Sequence, residues 1–361
     1  MSSVDYDVQL FPDEKNRSFW MNVLRTLDNV YDIEMWFGFF MSVIGIPINI
    51  LHMFILSRAT MRTSSTNIIL LGISICDLMI LLTMLQLTVR SYYYFVRGDA
   101  NADCDTPSSY FELKLDDFIT MFSTMSRRTS IWLGVSLAII RTFVMKRPLS
   151  HCTSTLTGPR FGLFSNLFVL VICSPLSILN FLQYTIVPYK AWIPPVKCGF
   201  PVNFSQMEYI PKGNGWFDEK SVTEAEEFLE GFFEFLPCLI LPPTTILLVL
   251  EVRKRKQLRN NSSQRSGRST KLVLFMTISF LFATGPLGIV DLLDSFCSDL
   301  PGFSRILQIL SSMFRLFMSF NALIHCLICF FISTQYRNAA KFLFTRQVIQ
   351  NYDKSLLDFR F

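Results

Sequence analysis

The chain has 361 residues, of which 51% are apolar and 17% charged, and its mean hydropathy is +0.38. A water-soluble domain does not sustain such values, and long stretches almost free of charge are the mark of helices that cross a bilayer. The formal net charge of +5 conceals a strong separation of charge along the chain, a membrane pattern rather than a nucleic-acid-binding one.

Seven stretches, at about 35–56, 67–89, 118–145, 161–187, 228–250, 271–294 and 306–332, are each long enough to cross about 30 Å of hydrocarbon as a helix. The expected fold is an all-α membrane protein: a seven-transmembrane helix bundle, N-terminus outside, with a short amphipathic helix after the seventh span. Residues 1–32 read as a polar, acidic and mobile outer tail, 33–333 as the bundle, and 334–361 as a cytoplasmic helix and tail. Orientation follows the basic residues. With the N-terminus outside, the inner segments hold 19 Lys and Arg and the longer outer segments 11. Acids reinforce the asymmetry, since the inner segments hold only Glu251, Asp353 and Asp358. The first 30 residues lack the basic and apolar regions of a cleavable signal, so the first span is expected to act as the anchor.

In chain order, the first span carries Pro47 and Asn49, and the second a single carboxylate, Asp77. A buried acid is neutral, paired or ion-bound, which leaves two readings. One is a polar cluster of Asp77 with Asn49 and Asn321, the other a sodium-type cation site. The first outer loop is acidic, from Asp99 to Asp117. The third span opens with Arg127 and Arg128 and ends at Arg141. Fourteen residues place Arg127 and Arg141 about 40° apart around a helix and about 21 Å apart along it. Ionisable groups inside a span face protein or an aqueous cavity, so this helix is expected to link an outward cavity with an inward surface.

The second outer loop, about 188–227, is too long to be without structure and is expected to form a hairpin cap. Asn16 and Asn203 head outer glycosylation sequons, whereas those at Asn260 and Asn261 fall inside. Of nine cysteines, Cys104, Cys198 and Cys297 lie outside, where disulfides persist. A Cys104–Cys198 bridge would tie the second outer loop to the region before the third span, with Cys297 left free or alternatively paired. The fifth span carries Glu234, Pro237, Pro242 and Pro243, the sixth Pro286, Asp291 and Asp294, and the seventh Arg315, Asn321 and His325. Tyr336 opens an amphipathic segment that suits the inner membrane surface.

This arrangement resembles the rhodopsin-like G-protein-coupled receptors over about residues 33–347. The motifs are altered: Ile140-Arg141-Thr142 stands for the usual Asp-Arg-Tyr, Ala283-Thr284-Gly285-Pro286 for Cys-Trp-x-Pro, and Asn321-Ala322-Leu323-Ile324-His325 for Asn-Pro-x-x-Tyr. The strings at 122–142, 321–326 and 333–337 resemble the nematode serpentine receptors of class W, which are similar to FMRFamide-type neuropeptide receptors. The resemblance implies the Cys104–Cys198 bridge as well. It implies an outward ligand cavity lined by Arg127, Arg128, Glu234, Asp291, Asp294 and Arg315, in which opposite charges either pair internally or read a zwitterionic or peptide ligand. It further implies coupling to a heterotrimeric G protein through Arg141, Asn321, His325 and Tyr336, with Arg141 as the inner switch. Ile140 removes the acid that restrains this arginine in relatives, so another group holds it or basal activity is higher. The expected partners are an extracellular ligand, a peptide before a small chemosensory molecule, together with the G protein and the bilayer. No cofactor, metal or nucleic acid is expected. An enzyme is disfavoured, because His52, His151 and His325 form no ligand-spaced pair. A transporter or channel is disfavoured too, because neither an internal repeat nor a repeated polar helix face is evident.

Overall fold

The computed structural model describes residues 10–11, 14–97, 104–147, 150–215, 220–258, 264–297 and 300–343. Asp99, Asp103, Asn260, Asn261 and the chain after Leu343 lie outside these residues. Among the described residues, seven helices are long and apolar enough to cross a membrane. They are α1 (Glu14–Leu56), α2 (Ser65–Arg97), α3 (Tyr110–Lys146), α5 (Pro159–Gln183), α6 (Lys220–Leu258), α7 (Gln264–Phe296) and α8 (Pro301–Ile332). A short α4 (His151–Thr157) follows α3, and α9 (334–343) follows α8 after a break at Ser333. The helices close into a ring in which α1 packs between α2 and α8, while α3 runs through the middle against α2, α5, α6 and α7. The seven-helix bundle expected from hydropathy is therefore present. Its central helix is the one that carries the three arginines.

Local signals explain where the helices begin. At the start of α3, the Ser109 hydroxyl accepts from the Glu112 N–H at 3.2 Å and the Glu112 carboxylate accepts from the Ser109 N–H at 2.7 Å. This reciprocal capping satisfies two N–H groups that the first turn leaves without partners. Pro159 and Pro301 occupy the first turns of α5 and α8, where a missing N–H costs nothing.

The structure differs from the expectation ahead of the first span. Residues 14–32 are not a loose tail but the first turns of α1, a helix of 43 residues. Its length is about 65 Å, roughly twice the hydrocarbon thickness. The projecting part packs on α8: Phe11, Met21 and Leu24 form a buried cluster with Ile306 and Ile309, and the Trp20 and Phe303 rings lie 4.6 Å apart. Polar composition hid this helix, yet Trp20, Leu24 and Leu27 already mark a stripe at i, i+4 and i+7.

The segment between α5 and α6 forms the expected hairpin, β1 (Tyr184–Trp192) antiparallel to β2 (Gln206–Gly213), with a register shift between Pro188 and Lys190. Cys198, between the strands, is bonded to Cys104. The Gln206 side-chain amide donates to the Pro107 carbonyl at 2.7 Å, so bridge and hydrogen bond together hold the hairpin over the entry to α3. Cys297 is free.

Candidate functional site

At the hairpin end of the bundle a cavity of about 370 Å³ opens between α3, α6, α7 and α8. Arg127 enters from α3, Glu234 from α6, Asp291 and Asp294 from α7, and Arg315 from α8. Five of the six residues expected at a ligand site thus face one space. Every other lining residue is polar or glycine, including Glu230, Ser304, Gln308 and Ser311, so no apolar side chain contributes.

Two glycines set the spacing of α6 and α7 beside the cavity. Gly288 of α7 lies against the Glu234 carbonyl of α6, where an added Cβ would sit 2.7 Å from the oxygen, and Gly231 of α6 lies equally close to the Leu292 backbone. The two helices approach closely only because both positions lack a side chain. That approach sets Glu234 beside Asp291, two carboxylates that repel when both are charged, and a cation between them relieves the repulsion. Arg127 supplies it. Its Nη1 lies 2.8 Å from Glu234 Oε2 and 3.6 Å from Asp291 Oδ2. Ser311 donates to the other Asp291 oxygen at 2.6 Å, and Ser304 donates to Asp294 at 2.8 Å. Arg315 faces the cavity with no carboxylate within 4 Å among the described residues, although Asp291, Glu234 and Glu34 all act on it.

Arg128 is placed differently from its expected role. It is 0% exposed and does not line the cavity. Its guanidinium turns between α5 and α6, donating to the Ser177 hydroxyl at 2.9 Å, pairing with Glu230 and lying 3.9 Å from Glu234 Oε1. Adjacent arginines point to different sides of a helix, about 100° apart, so one faces the cavity and the other holds the wall behind it. Nearby, the Asn180 and Gln183 amides of α5 donate to the Glu226 carboxylate of α6.

A proline adds one more tie. Pro237 has no N–H to offer the Phe233 carbonyl four residues earlier, and the Trp132 indole N–H of α3 donates to that oxygen at 3.2 Å. Helices α3 and α6 are therefore joined at two consecutive α6 residues, Phe233 and Glu234.

Deeper in the bundle, Asp77 accepts from Ser130 at 3.1 Å through one oxygen and pairs with His325 Nδ1 at 2.8 Å through the other. Asn321 Nδ2 lies 3.0 Å from His325 Nε2, so the amide donates to Nε2 and the ring proton on Nδ1 goes to Asp77. Asn49 belongs to the same region through its 3.4 Å bond to the Ala322 carbonyl, but it does not touch Asp77's oxygens. The polar-cluster reading gains two members that the sequence did not single out as partners, Ser130 and His325. Ser130 sits three residues after Arg127, and helical spacing alone gives no sign that it would face Asp77.

At the basic end, Arg141 has no carboxylate within 4 Å among the described residues, and its Nε is buried without a hydrogen-bond partner. Thr142 beside it donates to the Thr244 carbonyl of α6 at 3.3 Å. Tyr336 is 1% exposed rather than on a membrane-facing surface, and its hydroxyl lies 2.8 Å from His52 Nδ1 of α1. It anchors α9, whose Phe342 is exposed. The sequon residues Asn16 and Asn203 are both exposed.

Residues 36–347 match the family model described as serpentine type 7TM GPCR chemoreceptor Srw. The chain belongs to this family. Srw proteins are receptors, not enzymes, and this member is a multi-pass plasma-membrane protein. Curated relatives agree. The G-protein coupled receptor dmsr-1 of Caenorhabditis elegans is 27% identical over 269 residues, 71% of this chain and 50% of the relative. The blue-sensitive opsin of Conger conger is 25% identical over 267 residues, covering 70% and 65%. The sex peptide receptor of Drosophila melanogaster is 24% identical over 368 residues, covering 95% and 80%. The match to the first two spans half to about two thirds of their length.

Proposed function

We propose that this Srw chain is a receptor that binds an extracellular ligand in the cavity of α3, α6, α7 and α8 and activates a heterotrimeric G protein from its basic end. The N-terminus and hairpin lie outside in this reading, as the excess of Lys and Arg in the opposite segments requires. The ligand is a neuropeptide carrying an arginine, of RFamide type. The observation that carries this is the charge of the cavity: the four carboxylates of Glu230, Glu234, Asp291 and Asp294 outnumber Arg127 and Arg315, and still exceed the arginines by one when Arg128, paired with Glu230 behind the wall, is counted. Such a surplus steers and holds a cationic group, and arginine–carboxylate contacts are strong and directional. At the other end, Arg141, which no acid contacts among the described residues, is the group offered to the G protein, with Asn321, His325 and Tyr336 coupling the cavity to it.

The test is G-protein nucleotide exchange in membranes expressing the full chain, challenged with amidated peptides ending in Arg-Phe. A dose-dependent response, abolished by Arg141→Ala at equal surface expression, supports the reading. An equal response to peptides in which Glu replaces the arginine would sink the cationic-ligand part. A second reading, a small polar chemosensory ligand, is favoured by the cavity's volume of about 370 Å³, near the lower end for ligand pockets. A response to small polar cations without peptide activity would select it.

A further inference from the structure

Arg127 is held in an unusual way for a cation between one buried carboxylate, Glu234, and one half-buried carboxylate, Asp291. Both contacts, at 2.8 Å to Glu234 and 3.6 Å to Asp291, come from the single nitrogen Nη1. The fork geometry that makes arginine–carboxylate pairs strong, two parallel N–H bonds to one carboxylate, is unused. The side chain also lines the cavity and is 11% exposed. Arg128, by contrast, is sealed between helices. Arg127 faces two carboxylates that Gly231 and Gly288 help to bring together by letting α6 and α7 approach closely, and two such groups cannot both stay charged at low cost without a cation beside them.

We propose that Arg127 is a tethered stand-in for the cation of the ligand. This rests on the receptor reading above and deepens it. In the state described here, Arg127 satisfies Glu234 and Asp291 and thereby ties α3 to α6 and α7. A guanidinium arriving through the cavity meets the same two carboxylates from the open side, where a two-bond approach is available. It takes over Glu234 and Asp291 and releases Arg127. The Arg127 ion tie is lost: α3 keeps α6 through the Arg128–Glu230 pair, the Trp132–Phe233 and Thr142–Thr244 hydrogen bonds and apolar packing, whereas its ion tie to α7 is gone. Ligand binding is thus an exchange of one cation for another, with little net change in the charge of the site. The released contact joins α3, which carries Arg141, to Glu234 of α6 and Asp291 of α7. The arginine also sets specificity, because a neutral ligand gains too little to displace it.

Two measurements on the full-length receptor test this. The first is basal nucleotide exchange without ligand. Arg127→Gln and Glu234→Gln should each raise it at equal surface expression, by about fivefold or more, the low end of usual coupling between sites. The exchanged pair Arg127→Glu with Glu234→Arg should return towards the wild-type level. Basal exchange that is unchanged or lowered in both single variants, with no recovery in the pair, overturns the proposal. The second needs no signalling: thermal stabilisation of the purified receptor by agmatine, a guanidinium amine. Arg127→Gln should bind it at least about tenfold more tightly than wild type, and Arg127→Gln with Glu234→Gln should lose that gain. Equal agmatine affinity in wild type and Arg127→Gln overturns the stand-in role. If no G protein responds to any variant or peptide while the agmatine difference holds, the receptor reading fails and the cation exchange survives.

Discussion

Replacing His325 by leucine offers a quantitative test of the buried polar chain. The substitution removes the group that pairs with Asp77 at 2.8 Å and accepts from Asn321 at 3.0 Å, at a site where His325 is 1% and Asp77 3% exposed. Ser130 alone remains on the carboxylate. Breaking a buried pair from one side costs about 3–5 kcal/mol, a fall of roughly 4–7 °C in apparent melting temperature for a domain of this size. Asp77→Leu strands the Nδ1 proton and the Ser130 hydroxyl instead, each a neutral donor costing about 1–3 kcal/mol. The double replacement removes both members, so its cost should fall short of the sum of the singles by about 1–3 kcal/mol. Thiol-reactive dye unfolding of the receptor in lipid discs suits the measurement, because Cys76, Cys173 and Cys329 are free and buried and become reactive as the bundle opens. If the two single costs add to within about 0.5 kcal/mol, the pair carries no coupling and the chain from Ser130 to Asn321 is not a unit.

Two further outcomes follow from the geometry. Gly288→Ala inserts a methyl 2.7 Å from the Glu234 carbonyl, and forcing α6 and α7 apart should cost about 1–3 kcal/mol and weaken response to a cationic agonist; an unchanged melting temperature and response would show that the close approach is not needed. Asn203 is exposed in the turn before β2 with φ of 72°, so Asn203→Gln should shorten the glycosylated protein by one glycan on a gel, whereas Asn261→Gln should leave its migration unchanged; the opposite pattern would place the hairpin inside.

The membrane architecture was legible because each span is a composition signal, a property of a window of chain that needs no partner. The hairpin was legible from loop length, and the Cys104–Cys198 bridge from the outer cysteines together with the family resemblance. The charged residues of the cavity stood out for the same reason: Arg127, Glu234, Asp291, Asp294 and Arg315 are costly inside a span and so declare themselves. What the charges do to one another did not follow. Sequence placed Arg127 and Arg128 together and treated them alike, but α3 turns by about 100° per residue, and only the neighbours on each side decide which arginine meets the cavity and which meets Ser177 and Glu230. Residues 14–32 looked too polar to order, since their apolar stripe has no value until the Phe303–Ile309 face of α8 lies opposite. Asp77's partners were hidden in the same way, because Ser130 and His325 are ordinary residues on helices 53 and 248 positions away in the chain. The sequence by itself determined how many helices cross the membrane and which charges they carry inside it. Tertiary structure alone decided how those charges pair, because pairing depends on helix rotation and on the glycine-set distance between α6 and α7, neither of which is a local property of the chain.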